Sequence, residues 1–187
     1  TTQSVVTTLQ QAAHGGDAAQ DLFAAATLFD AAQIVGNSLR TVMARDQEFV
    51  APYGDASGSF LVGGQIAGEA PRLFQIYSAG NFVEATPRSQ ILQIGEAKYG
   101  KPILDRTLHN ETTLDHAAKL ALLSYDATIR SNLSVDGPID LLRYAKDSLS
   151  TEKLRKYSRE DPYWVDLRAK YGEGLLALVD ALPSPPD

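Results

Sequence analysis

Ser59–Ile94 reads SFLVGGQIAGEAPRLFQIYSAGNFVEATPRSQILQI, and the spacing of its turns decides the fold. Short runs rich in β-branched and aromatic residues recur in it: Phe60-Leu61-Val62, Leu73-Phe74-Gln75-Ile76-Tyr77, Phe82-Val83 and Ile91-Leu92-Gln93-Ile94. Gly63-Gly64, Gly68, Ser78-Ala79-Gly80-Asn81 and Thr86-Pro87 separate them, so each run reads as a strand bounded by turn residues. Connections this short join antiparallel neighbours, because a parallel pair needs a long crossover. The segment is therefore expected to form an antiparallel meander.

On both sides of the meander the period changes to that of a helix. Upstream, His14-Gly15-Gly16-Asp17 reads as a helix end, a turn and a new N-cap, which makes residues 2–13 one short helix and 17–45 a long one. Leu22, Ala25, Phe29, Ala32, Gly36, Leu39 and Met43 mark one face of the long helix. Phe23, Leu28, Val35 and Val42 make other faces apolar too, so cover on more than one side, by a neighbouring subunit included, is expected. Gly36 inside this helix costs about 1 kcal/mol relative to alanine and implies the close approach of another backbone, expected to be a crossing helix. Downstream, Thr112-x-x-Asp115 predicts a capping box ahead of a helix over 112–131. Asp136-Gly137-Pro138 then turns the chain into a strand at Ile139–Tyr144, and a last helix is expected within 160–181. Helices, meander, helices and a further strand predict an α+β architecture in a single domain over 1–182, with Pro183–Asp187 a frayed tail.

Composition bounds the chemistry. The 187 residues are 44% hydrophobic and 21% charged, enough for one sizeable core. The absence of cysteine removes thiolate nucleophiles, cysteine-bound zinc and disulfides, and fits a cytoplasmic location. A net charge of −6 argues against nucleic acid or anionic membrane as a partner of the whole surface. No basic segment followed by an apolar one opens the chain, and its first residue is Thr1, which leads to the expectation of a processed chain or a piece of a longer one. Residues 143–170 carry eight basic residues against five acids, which reads as a solvated helical face rather than a patch for an acidic partner.

Several patterns imitate active sites. Gly95-Glu-Ala-Lys-Tyr-Gly-Lys101-Pro102 has the spacing of a phosphate-binding loop, but Pro102 stands where a magnesium-binding hydroxyl is needed and Glu96 would put a negative charge inside the cradle. It reads as a strand-to-helix turn. His14, His109 and His116 lack metal-ligand spacing, so neither metal nor cofactor is expected. No G-x-S-x-G elbow occurs, and Gly54–Gly58 reads as a turn. Thr1 could serve as an N-terminal nucleophile with its own α-amine as base. However, Gln3–Ala13 reads as helix rather than strand, and no lysine precedes Lys98 to supply the ammonium that such a threonine needs.

The order of the meander, Ile94-Gly-Glu-Ala-Lys-Tyr-Gly-Lys-Pro-Ile-Leu-Asp-Arg106, Ser131-x-x-Ser134 and Asp136-Gly-Pro-Ile-Asp-Leu-Leu142, over about residues 1–147, resembles proteasome-type subunits of the N-terminal nucleophile class. Within them the chain is most similar to the bacterial Anbu, or ancestral beta-subunit, branch. The resemblance implies a four-layer αββα sandwich of two antiparallel sheets, amide-bond hydrolysis by an N-terminal threonine, and a ring or open-ring homo-oligomer acting on peptide or other amide substrates. It aligns Thr1–Val6 with the family's first helix. The catalytic threonine, its supporting aspartate and lysine, and the oxyanion-hole glycine are then expected ahead of Thr1, which is not expected to be the nucleophile. Glu96 falls where proteasome subunits carry a serine near the threonine amine, Ser131 at a supporting aspartate and Ser134 at a second serine. The first two are departures from the family. Glu96 reads more readily as a charge stabilising a helix start, and Ser131 and Ser134 read equally as a polar loop. A non-catalytic subunit that keeps the ring contacts is the alternative function.

Overall fold

The computed structural model describes residues 1–15 and 19–186, which fall into two compact units, Thr1–Ile94 with Ala145–Leu149, and Gly95–Tyr144 with Ser150 onward. Gly16 and Asp17, read above as turn and N-cap, lie outside the described residues, as does Asp187.

In the first unit, α1 (Thr2–Gly15) and α2 (Leu28–Val50) pack with a meander of β1 (Phe60–Gly64), β2 (Arg72–Ile76) and β3 (Phe82–Glu84). Both strand pairs are antiparallel, with Phe60 opposite Ile76, Val62 opposite Phe74 and Ile76 opposite Phe82. The alternation sends Leu61 and Val83 outward, while Phe74 and Ile76 are buried against Val5, Leu28, Ala32, Val35, Leu39 and Val42. Phe82 meets the edge of Phe74 at 5.7 Å and of Phe29 at 5.2 Å between ring centroids. Arg72 grips Glu84 with two hydrogen bonds of 2.7 Å and tethers the two strands.

Four expectations need correction here. The long helix starts at Leu28, not near 17, because Thr27 and Asp30 form a capping box: each side-chain oxygen accepts the other's backbone N–H at 3.1 Å. Its buried stripe is Leu28, Ala32, Val35, Leu39 and Val42; Ala32, Gly36 and Leu39 of the face read from the sequence are buried, while Phe29 at its start is half exposed against Phe82. Gly36 meets no crossing helix but the β2–β3 turn, where a Cβ would overlap the carbonyl oxygen of Gly80. Ile91–Ile94 is not a strand, because no strand edge pairs with it among the described residues.

The second unit holds α3 (Lys101–Thr107), α4 (Leu114–Ser131), the antiparallel pair β4 (Ile139–Leu142) and β5 (Leu154–Tyr157), and α5 (Pro162–Ala181). Trp164, Leu122, Ile139 and Tyr157 form its core. Asp161 caps α5 by accepting from the N–H groups of Tyr163 at 3.0 Å and Trp164 at 3.3 Å, with Pro162 at the first helical position. Thr113, not Thr112, caps α4, accepting from His116 N–H at 3.3 Å, because the Thr112 hydroxyl is already taken by the N–H of His109 at 3.0 Å. β5 went unread in the sequence, whereas α3 is the helix that the strand-to-helix turn at Gly95–Pro102 leads into. Among the described residues, five α-helices and two antiparallel sheets make the fold α+β.

The Gly36 contact is backbone against backbone, so nothing flexible can give way. Gly36→Ala is expected to destabilise the protein by about 3 kcal/mol, the upper end for an overpacked core position, measured by urea denaturation. A loss within experimental error would show that the turn simply moves aside.

Candidate functional site

Glu96 lies far in sequence from Ser131 and Ser134, and all three fall in the second unit. Asn132, which the sequence reading passed over, joins two of them. Its backbone N–H closes α4 on the carbonyl of Thr128 at 2.9 Å, so its side chain stands at the helix end. There the side-chain Nδ2 donates to Glu96 Oε2 at 2.9 Å and Oδ1 accepts from the Ser134 N–H at 2.8 Å. An asparagine suits this position because one planar group both donates and accepts. Ser131 is the last residue of α4, and its side chain and that of Ser134 are exposed.

Glu96 is half-buried and also faces Lys98, whose Nζ lies 3.6 Å from its Oε2. That carboxylate, followed by the Tyr99 ring at 4.9 Å, raises the Lys98 pKa above its ordinary value, so the ammonium persists throughout the neutral range. The far end of the loop is held as firmly. Asp136 accepts from the N–H of Gly137 at 2.6 Å and from Arg159 Nε at 2.7 Å, with a second guanidinium contact beside it. Residues 132–137 are therefore clamped at both ends, with Ser134 and the fully exposed Leu133 between.

The other candidates resolve individually. Gly95–Pro102 is a turn into α3, and Gly100 serves packing: a Cβ there would overlap the Ser124 hydroxyl of α4. Thr1 heads α1, its carbonyl accepting from Val5 N–H at 3.1 Å. His14 holds the Gln10 carbonyl at 2.7 Å. His109 and His116 line a cavity of about 360 Å³ with Glu111 and Lys119 over a floor of Leu120, Leu123 and Leu167. Among the described residues no group of three or more metal-ligating side chains occurs, and no helix is long and apolar enough to cross a membrane. The basic segment 143–170 is largely neutralised by ion pairs, among them Arg143 to Asp115 at 2.5 Å, Arg155 to Asp161 at 3.1 Å and Lys170 to Asp166 at 2.8 Å.

No family model and no curated protein matches the chain. Solved structures do. Anbu from Yersinia bercovieri is 42% identical over 100% of this chain and 77% of its own, with a TM-score of 0.93. Anbu from Pseudomonas aeruginosa, solved as a helical assembly, is 44% identical over 100% of this chain and 76% of its own, with a TM-score of 0.89. A Gly-1 mutant of Anbu from Hyphomicrobium sp. strain MC1 is 39% identical over 100% and 77%, with a TM-score of 0.91. The chain belongs to the Anbu family of proteasome-type subunits. Its fold is proteasome-like, and the resemblance read from the motif order at Ser59–Tyr77, Ile94–Arg106 and Ser131–Leu142 is the correct one. The Anbu structures extend over more residues than this chain covers.

The Asp136 clamp is sensitive to acid. Arg159, and after it the Gly137 N–H, lowers the folded-state pKa of Asp136, so its stabilisation is fully present above the unfolded pKa and lost as pH falls through the folded one. Amide protection at Ser134–Gly137 is expected to hold down to about pH 4 and fall below it, starting from the ordinary aspartate value. In Arg159→Gln the protection should already be weak at neutral pH. Equal protection in both proteins would show that the ion pair does not order the loop.

Proposed function

We propose that this chain is part of a self-assembling, threonine-dependent amide hydrolase whose nucleophile stands ahead of Thr1 in the intact protein. The observation that supports it is the Glu96–Asn132–Ser134 linkage, since two positions that the family resemblance assigns to the threonine's surroundings share one hydrogen-bonding side chain. In such a reaction the threonine hydroxyl adds to the amide carbonyl while its proton passes to the threonine α-amine. Collapse expels the substrate amine, which takes that proton, and water then hydrolyses the ester left on the threonine.

The chain's own residues manage proton and charge around that amine. The Ser134 hydroxyl accepts from or donates to the amine or its water, with its backbone held by Asn132. The Glu96 carboxylate, fixed by Asn132 and balanced by Lys98, favours the protonated amine. Ser131 orders water but supplies no charge where proteasome subunits use a carboxylate. The amine is therefore tuned by Glu96 rather than by an acid at 131. Self-assembly is the reading that the P. aeruginosa helical assembly supports, with a ring, an open ring or a helix as its forms.

The test is covalent. A threonine-directed electrophile applied to the intact protein should modify a threonine ahead of Thr1, located by mass spectrometry. Asn132→Ala should slow the adduct about tenfold, the loss of one charge-assisted hydrogen bond. Modification at Thr1 would overturn the register, and no modification at all would leave the non-catalytic assembly subunit in place of the enzyme.

A further inference from the structure

The N-terminal half of α4 and the loop before it line a cavity of about 360 Å³ in the second unit, within the range of small-molecule sites. His116, Lys119, Leu120 and Leu123 follow the i, i+3, i+4, i+7 pattern, so α4 turns all four to the same side. Leu123 is buried and Leu120 and Leu167 are half-buried, which makes the floor apolar. The rim includes the loop between α3 and α4, and the backbone of that loop is fixed. The His109 N–H donates to the Thr112 hydroxyl at 3.0 Å, and the Thr112 N–H donates to the His109 carbonyl at 2.9 Å. The charged and imidazole groups of the rim are not engaged. Among the described residues neither the Glu111 carboxylate nor the Lys119 ammonium makes an ion pair or a hydrogen bond, and the rings of His109 and His116 make none either. Elsewhere in the unit Lys98, Lys101 and Lys170 each reach a carboxylate at 3.6 Å or less.

We propose that this cavity binds a short apolar peptide with both termini free, on the scale of a dipeptide. Glu111 takes the α-ammonium, Lys119 takes the α-carboxylate with a histidine ring N–H beside it, and the leucine floor takes the side chains. Two unmatched charges of opposite sign decide the class. They line one cavity without reaching each other, and a ligand carrying both signs gives each a partner. A fatty carboxylate would answer Lys119 but meet Glu111 as a like charge, and an aliphatic amine would do the reverse. A sugar would set polar groups against the leucines. Length follows from the helix. Glu111 lies ahead of α4 and Lys119 lies five positions past its first residue, about 7.5 Å of helix rise. One residue spans about 3.5 Å and two span about 7 Å, so a dipeptide bridges the pair better than a single amino acid. None of these residues belongs to the Glu96–Asn132–Ser134 linkage, and binding requires no turnover, so the proposal stands whether or not the chain is part of a hydrolase.

Titration calorimetry of the intact protein with leucyl-leucine, its N-acetyl form and its C-terminal amide tests the proposal. Leucyl-leucine should bind one to one with a dissociation constant on the order of 0.1 mM, as suits a ligand of this size. Capping either terminus should weaken binding about tenfold, the loss of one charge-assisted hydrogen bond. Glu111→Gln should abolish the preference for the free amine and keep that for the free carboxylate, and Lys119→Met should do the opposite. Both side chains are exposed, so the variants should fold with unchanged circular dichroism. The ring-proton NMR signals of His109 and His116, assigned with single His→Gln variants, should shift when leucyl-leucine is added. No binding at millimolar peptide, equal affinity for the three ligands, or preferences unchanged in both variants would each overturn the proposal.

Discussion

Both units are organised by a glycine that lets another segment reach a helix. In the first, Gly36 of α2 lies against Gly80 in the β2–β3 turn, and Gly80 adopts a φ of 74° that suits a residue without a side chain. This contact brings α2 down on the meander and seats Leu39 and Val35 over Phe74 and Ile76. In the second, Gly100 brings the start of α3 onto Ser124 and Thr128 of α4. That approach positions the preceding residues, Glu96 among them, with respect to the C-terminal end of α4. Side chains at either glycine would hold the segments apart by the width of a methyl group, and close-packed interiors do not absorb such a gap cheaply.

The chemistry of the candidate site follows from where α4 stops. A helix end leaves carbonyls without internal partners and a chain that must turn, and Asn132 uses this junction to hold two neighbours at once. Its amide fixes the Glu96 carboxylate on one side and the Ser134 backbone on the other, while Arg159 holds Asp136 where the loop leaves toward β4. The result is a short loop whose polar groups are placed by fixed partners rather than by its own conformational preferences. The negative charge of Glu96 comes from outside the loop and is paired with Lys98.

Burial is uneven along the second unit. Trp164 and its neighbours form a small core, while the described residues of α5 from Gly172 onward are exposed. The first unit distributes its core along the whole of α2, with buried residues from Leu28 to Val42. A helix that is well covered at one end and bare at the other has its stability concentrated at the covered end, and the bare end depends on what packs there.

Much was legible in the amino-acid sequence because it was local. Short apolar runs between turn residues placed β1, β2 and β3, Asp136-Gly137-Pro138 placed β4, and the missing hydroxyl at Pro102 excluded a phosphate loop, each decided within a few residues. The order of these motifs was enough to identify the family. What the sequence left open depended on partners distant along the chain. The apolar faces of α2 overlap at Ala32, Gly36 and Leu39, and only the packing of Phe74 and Ile76 decided that Leu28, Val35 and Val42 join them in the core. Ile91–Ile94 has a strand's composition, but a strand also needs a partner edge. β5 escaped notice because Leu154–Tyr157 is mostly exposed and charged, and it is a strand because β4 lies beside it. Asn132 shows no unusual pattern in sequence. Its role arises because tertiary structure brings Glu96, thirty-six positions earlier, within hydrogen-bonding distance of the end of α4.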